Sequence, residues 1–172
     1  METALGDTPV VCLLGPRQCG KSTLAGTFSP QFSAVTLDDS ALLATARSDP
    51  DGFVGALPAS VIIDEIQRAP ELLRAIKASV DRDRRPGRFL LTGSANLLLL
   101  PQISESLAGR SEVIQLHPLT EAEKNRRPGQ FLAILLAGGF VPEIGQDVTG
   151  NAPSLTERLV AGGYPEPLKR NP

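Results

Sequence analysis

An α/β domain built on a mainly parallel sheet is the fold class that this sequence predicts, and three observations predict it. Short apolar runs alternate with longer stretches of helical periodicity from Val10 to Leu116, the pattern of strands joined by crossover helices. The first run, Val10–Leu14, has no polar alternation, as a central strand covered on both faces requires. Three runs end abruptly in glycine or polar residues: Gly15, then Asp64-Glu65, then Thr92-Gly93-Ser94. Ligands of open α/β sheets bind outside the carboxyl ends of the strands, so those ends are where a site is to be sought.

Each element has a local reason. After Val10–Leu14, residues Gly20 to about Phe28 read as a helix. Ala34–Leu37 makes a second strand, closed by Asp38, Asp39 and Ser40, any of which can cap the next helix. Asp49-Pro50-Asp51-Gly52 is a turn or a helix start, and Val61–Ile63 is the third strand. Pro70 and Glu71 open the clearest helix, in which Leu72, Leu73, Ile76 and Val80 share one face. Arg85-Pro86-Gly87 ends that unit and Phe89–Leu91 forms a fourth strand. Leu97–Leu107 is partly helical, interrupted at Pro101, and Glu112–Leu116 is a fifth strand. From Thr120 onward the pattern is helical and punctuated by Pro and Gly. The expected organisation is therefore a core over residues 1–119 and a helical extension or linker over 120–172.

Composition narrows the function classes. A chain of 172 residues, 41% hydrophobic and 21% charged, can bury a core as one ordinary domain. Its net charge of −2 and 4% aromatic content, with no Trp, supply neither a basic field nor stacking platforms for nucleic acid. The cluster Arg82, Arg84, Arg85 and Arg88 is interleaved with Asp81 and Asp83 and reads as a solvated face. Cys12 and Cys19 lack the spacing of a metal site, and no secretory signal precedes them, so a reducing, cytoplasmic setting is expected. The longest apolar run, Phe131–Val141, falls short of the roughly 18 residues that span a bilayer. No membrane role is expected.

The segment Gly15-Pro16-Arg17-Gln18-Cys19-Gly20-Lys21-Ser22 matches G-x-x-x-x-G-K-[ST], with Thr23 next. Gly15 and Gly20 allow backbone dihedrals and close approaches that a Cβ obstructs. Successive loop N–H groups can then form an anion nest, backed by the positive end of the following helix. Lys21 can reach the β- and γ-phosphates of a nucleoside triphosphate, and the Ser22 hydroxyl can ligate magnesium. With Gly at about 7% of residues, a chance match in a chain this long is on the order of one per hundred sequences. Here the motif also follows an apolar strand and opens a helix. Cys19 reads as the filler of a position used only through its backbone.

Val61-Ile62-Ile63-Asp64-Glu65 delivers two carboxylates to the same edge. Asp64 can hold magnesium, and Glu65 is placed to orient and deprotonate an attacking water. A GTPase would need a guanine-reading Asn/Thr-Lys-x-Asp, and no Lys-x-Asp occurs in this sequence. Phe89-Leu90-Leu91-Thr92-Gly93-Ser94-Ala95-Asn96 brings hydroxyls and an amide to that edge. Ser94 is the favoured contact for the γ-phosphate or the water, with Asn96 and Thr92 as substitutes. Arg110, in Leu107-Ala108-Gly109-Arg110, is either a surface ion-pair partner or an arginine that stabilises transition-state charge on a neighbouring copy. His117 reads as structural.

Taken together, these residues resemble the AAA+ class of P-loop ATPases. More closely, Gly15-Pro16-Arg17-Gln18, Asp64-Glu65-Ile66-Gln67, Leu91-Thr92-Gly93-Ser94, Leu107-Ala108-Gly109-Arg110 and Gly162-Gly163-Tyr164-Pro165-Glu166 resemble a bacterial and archaeal group of AAA family ATP-binding proteins with a C-terminal DUF4143 domain. The resemblance covers roughly residues 8 to 168. It implies a five-stranded parallel sheet in the order 5-1-4-3-2, ATP as the nucleotide, and Mg2+ as its companion. It also implies Lys21, Ser22, Asp64, Glu65 and Ser94 in the roles above, Arg110 as a finger, and possible homo-oligomers. In that group a large domain, likened to a nuclease fold, follows the Gly162–Glu166 segment. The expectation is thus an ATPase that drives or gates an effector domain absent from this chain. Arg158, Lys169 and Arg170 are the cations available for a second sensor.

Two rivals remain open at this stage. A nucleotide-dependent binding switch with little turnover would need the phosphate loop but not the water-activating carboxylate of Glu65. A helicase-like enzyme is echoed by Asp64-Glu65-Ile66-Gln67 and Gly93-Ser94-Ala95-Asn96, but it needs a second RecA-like domain that 172 residues do not hold.

Overall fold

The computed structural model describes residues 1–94, 107–126, 129, 131–138 and 154–170. It divides into two compact units, Met1–His117 and Pro118–Pro172. The first unit carries a five-stranded sheet: β1 (Val10–Gly15), β2 (Ser33–Thr36), β3 (Val61–Asp64), β4 (Phe89–Ser94) and β5 (Ser111–Gln115). Their order across the sheet is β2-β3-β4-β1-β5, with every pair parallel. This is the expected order 5-1-4-3-2 read from the opposite edge. Among the described residues the α-helices between strands are α2 (Lys21–Gly26), α3 (Ser40–Ser48), α4 (Pro50–Ala56) and α5 (Leu72–Arg82). A short α1 (Glu2–Asp7), which the sequence pattern does not announce, precedes β1.

Strand periodicity sorts the core into two layers. Val10, Cys12, Leu14, Val61, Ile63, Phe89 and Leu91 face one side, where Phe53 and Val54 of α4 and Leu72, Leu73, Ile76 and Val80 of α5 pack on them. Val11, Leu13, Ile62 and Leu90 face the other, against Ala4 of α1, Ala25 of α2 and Phe32. Both faces of the central strands are therefore dry, which explains their unbroken apolar runs. The edge strands β2 and β5 are mostly exposed and carry Ser33, Thr36, Glu112 and Gln115.

Helix boundaries follow local chemistry. Asp39 caps α3 by accepting from the N–H groups of Ala41 and Leu42, at 2.8 and 3.1 Å. Asp49 caps α4, with Pro50 at the first helical position, so Asp49–Gly52 is a helix start. The clearest helix begins at Leu72, with Pro70 just outside it, because a separate 3-10 turn, Ile66–Arg68, intervenes after β3. The fourth strand runs on to Ser94, past the expected end at Leu91, since β4 pairs with β1 as far as Gly15↔Ser94. The first helix after the loop is shorter than expected and ends at Gly26. Of the segment expected to be partly helical, residues 97–106 lie outside the described residues, as does Asn96.

The second unit holds four short helices among its described residues: α6 (Glu121–Lys124), α7 (Phe131–Leu136), α8 (Leu155–Ala161) and α9 (Pro165–Arg170). Thr120 with Glu123, and Ser154 with Glu157, form reciprocal capping boxes at the starts of α6 and α8. The capping N–H groups hold the Glu123 and Glu157 carboxyls below their usual range. Among the described residues no helix is long and apolar enough to cross a membrane.

Gly15 illustrates how tightly the strands close on the loop. A Cβ built there would lie 2.2 Å from the Leu116 carbonyl oxygen, just beyond β5. That segment is fixed by the hydrogen bond from Leu116 N–H to Leu14 O at 2.7 Å. Gly15→Ala is therefore expected to lower the unfolding free energy by about 1–3 kcal/mol through forced backbone movement. Urea unfolding without nucleotide checks it: the midpoint falls while the slope stays the same.

Candidate functional site

The loop from Gly15 to Gly20 leaves β1 and turns into α2 through two left-handed residues. Gly20 has φ 103°, a value that an L side chain rarely adopts, and Gln18 adopts φ 63°. The loop exposes Arg17 and Gln18, half-buries Pro16 and Gly20, and buries Cys19 and Lys21. Cys19, at 4% exposure, fills space beneath the loop. Burial pushes the thiol of Cys12, in the strand leading to it, up to about 12, so that sulfur is neutral and inert.

Lys21 is 5% exposed, and its ammonium donates to the carbonyls of Gly15 at 3.1 Å and Pro16 at 2.7 Å. The charge is thus held inside the curl of the loop, with its stem buried and its head among loop carbonyls. Ser22 and Thr23 follow on the exposed side of α2.

Sheet parity brings the other groups to the same place. Ile62 and Leu90 point to the α2 side, so Asp64 and Thr92, two residues further along each strand, point there too. Ile63 pairs with Leu91, which sets Asp64 and Thr92 next to each other. The Ser22 Oγ lies 3.1 Å from each oxygen of Asp64, across a separation of 42 positions in sequence. On its other flank Asp64 Oδ1 accepts from the hydroxyl of Thr92, which is fully buried. The same Thr92 oxygen accepts from the Glu65 N–H at 3.3 Å. One buried hydroxyl thus fixes the side chain of Asp64 and the backbone of Glu65.

Glu65 leaves the strand direction with φ 61° and ψ 41°, the left-handed region, which costs a non-glycine residue about 1–2 kcal/mol. That turn carries the half-buried carboxylate off the strand line and onto the edge. There the Gln67 Nε2 donates to Glu65 Oε2, while the Gln67 Oε1 accepts from the Ser94 N–H at 3.2 Å. Ser94 sits beside Gly15 in the β1–β4 pairing, so the end of β4 adjoins the start of the loop.

The oxygen donors suit magnesium. A hydroxyl and a carboxylate, Ser22 and Asp64, converge beside a loop built to receive phosphates, and Mg2+ takes one or two protein oxygens plus phosphate and water. Ser22 and Asp64 would hold that ion.

Arg110 stands apart from this cluster. It precedes β5, and its backbone O accepts from Val10 N–H at the start of β1, so it lies at the amino edge of the sheet. Its Nε is 2.5 Å from Asp81 Oδ1 of α5, and its terminal nitrogen donates to Ala108 O at 2.9 Å. The bond from Arg110 is the main reason the Asp81 carboxyl is held below its usual range. The ion-pair alternative is thus the arrangement found within one chain. His117 is exposed at the end of the first unit. Arg158 lies in α8 of the second unit, and the side chains of Lys169 and Arg170 lie outside the described residues.

The structure therefore brings together Lys21, Ser22, Asp64, Glu65 and Ser94. Sequence reasoning ranked Thr92 only as a substitute, although strand parity with Asp64 carried the signal. It gave Gln67 no role, although that residue closes the Asp64-Glu65-Ile66-Gln67 segment that carries part of the resemblance.

The chain is 41% identical over 143 residues to uncharacterized proteins of Mycobacterium tuberculosis (strain ATCC 25618 / H37Rv), Rv2008c, and Mycobacterium bovis (strain ATCC BAA-935 / AF2122/97), Mb2031c, covering 83% of this chain and 32% of each relative. It thus spans about a third of the length of the curated relatives that it matches. Among solved structures it is similar to the Walker-type ATPase PABY2304 of Pyrococcus abyssi, with 18% identity, a TM-score of 0.48 and coverage of 83% of this chain and 57% of that one. It is also similar to PCH-2 of C. elegans, with 16% identity, a TM-score of 0.43 and coverage of 84% and 46%. The model of the AAA domain family matches residues 7–124, the stretch that carries the loop, both carboxylates, Thr92 and Ser94, and the chain belongs to that family of AAA-type P-loop ATPases.

Proposed function

We propose that this chain binds ATP with Mg2+ and hydrolyses it, and that in a longer protein this turnover drives or gates an effector region. The observation that carries the reading is the convergence of Lys21 and Ser22, from the start of α2, with Asp64 and Glu65, from the end of β3, onto one sheet edge. Neither a structural ion pair nor a helix cap accounts for all four.

Each residue then has a task. The loop N–H groups from Pro16's successor, Arg17, to Ser22 cradle the phosphates, and Lys21 turns from the Gly15 and Pro16 carbonyls to the β- and γ-phosphates. Ser22 and Asp64 would hold Mg2+, which would supply charge neutralisation for the phosphates, and the Thr92 hydroxyl keeps Asp64 oriented through Oδ1. Glu65 accepts the proton of the attacking water as it adds to the γ-phosphorus, and the bond to the β-phosphate oxygen breaks to give ADP and phosphate. Ser94 contacts the γ-phosphate or that water from the end of β4.

Arg110 cannot serve its own loop from the opposite edge. As a catalytic residue it would have to release Asp81 and act on a neighbouring copy, so that role requires a homo-oligomeric active form. The second reading, a nucleotide-dependent binding switch with little turnover, is favoured by that same ion pair, which holds Arg110 away from the loop of its own chain.

Magnesium-dependent phosphate release across a range of protein concentrations tests the reading. Glu65→Gln should retain ATP binding and lose roughly 10²-fold or more in turnover. Lys21→Ala should weaken ATP binding by about 10-fold or more, the loss of a charge-assisted contact. Tight binding by the unsubstituted chain with no turnover at any concentration would leave the switch reading in its place.

If Arg110 acts in trans, turnover rises more than linearly with protein concentration, and Arg110→Ala lowers it by about 10³-fold with ATP affinity unchanged. Linear turnover that Arg110→Ala does not alter would reduce this residue to the Asp81 ion pair.

A further inference from the structure

The hydrogen bonds at the sheet edge join Glu65 to β4 twice, and the second connection runs through Gln67. This residue sits in the 3-10 turn Ile66–Arg68, whose flanking side chains Ile66 and Ala69 are fully buried in the core. Its backbone is therefore anchored from both sides, while its half-buried side chain returns to the edge. There the amide spans two partners: Oε1 accepts from Ser94 N–H at 3.2 Å, and Nε2 donates to Glu65 Oε2.

The chemistry of the partners decides which way the amide points. A backbone N–H can only donate, so the end of Gln67 that faces Ser94 must be the oxygen. The NH2 end then meets a carboxylate, which can only accept while ionised. The reversed amide would set donor against donor and acceptor against acceptor. Leu, Met or Glu at this position could not satisfy both ends, so the linkage depends on a carboxamide of this length.

We propose that Gln67 is a positioning residue, which holds the Glu65 carboxylate by Oε2 and couples its aim to the end of β4 at Ser94. The inference rests on the ATPase reading of Glu65. Thr92 fixes the backbone N–H of Glu65, but three side-chain torsions still separate that backbone from the carboxylate. Gln67 removes that freedom and leaves Oε1 directed to receive the proton from water. Because Gln67 holds Ser94 by its backbone, a shift of the β4 end toward a γ-phosphate moves the amide, and with it the general base. A displacement of about 1 Å at such a group can change a rate by about 100-fold.

The test uses the whole chain in five forms: unsubstituted, Gln67→Leu, Gln67→Glu, Glu65→Gln, and Glu65→Gln combined with Gln67→Leu. Gln67→Leu, close in size but unable to bond at either end, should lower kcat by about 10- to 100-fold and leave ATP affinity within about 2-fold. Gln67→Glu keeps an acceptor for Ser94 but turns a carboxylate toward Glu65, so it should lose at least as much kcat. In the Glu65→Gln background, Gln67→Leu should cause no further loss, because it acts through the carboxylate already removed.

A second measurement is independent of turnover. Hydrogen exchange at the Ser94 amide without nucleotide should quicken in Gln67→Leu and stay slow in Gln67→Glu. Equal kcat in Gln67→Leu and the unsubstituted chain, or a further loss in the double variant, overturns the positioning role while the ATPase reading stands. Unchanged Ser94 exchange in Gln67→Leu overturns the linkage to β4. Absence of turnover in the unsubstituted chain overturns the ATPase reading, and the catalytic role of Gln67 falls with it. A melting temperature measured for each variant separates these results from misfolding.

Discussion

The carboxylate of Asp64 is the point on which the rest of the site depends. It receives Ser22 from α2 on one side and Thr92 from β4 on the other, while its own strand, β3, lies between β2 and β4. A half-buried negative charge at the sheet edge is tolerated when hydroxyls satisfy it. Here the two hydroxyls come from elements that must be correctly placed for the phosphate loop to work. Satisfying one charge therefore ties the helix that follows the loop to the two strands that bring the remaining groups.

That arrangement also explains why polar residues end the strands without disturbing the core. Apolar residues occupy the length of β1, β3 and β4, and the change to Gly, Asp or Thr comes only at the carboxyl ends. The exception is Thr92, fully buried yet polar, and its hydroxyl both donates and accepts. Glu65, like Gln18 in the loop, departs from the preferred backbone region, and it does so beside the residue that supports its N–H. Strain of this kind persists where the surroundings over-determine the conformation, and such places concentrate at functional sites.

Much of this was legible in the amino-acid order. The apolar runs located all five strands to within a few residues, the G-x-x-x-x-G-K-[ST] motif singled out Lys21 and Ser22, and the end of the third run singled out Asp64 and Glu65. The misjudged boundaries share a cause. Phe89–Leu91 was read too short because Thr92, Gly93 and Ser94 resemble a turn by composition, whereas pairing with β1 keeps them in the sheet. The helix after β3 was placed too early because its periodicity does not reveal the intervening 3-10 turn.

What the sequence determined by itself was the set of elements and their chemistry, because periodicity of burial and the types of residue at strand ends are local properties. Tertiary structure alone decided which groups meet. Gly15 is required by the Leu116 carbonyl, 101 positions away, a constraint that no local pattern encodes. Thr92 became the shared partner of Asp64 and Glu65 through the β3–β4 register, and Gln67 reached Ser94 through the path of a buried turn. Arg110 was assigned to Asp81 because α5 and the start of β5 share the amino edge. Hydrogen bonds are short-ranged and directional, so their partners are fixed only after packing has set distances to within a fraction of an ångström.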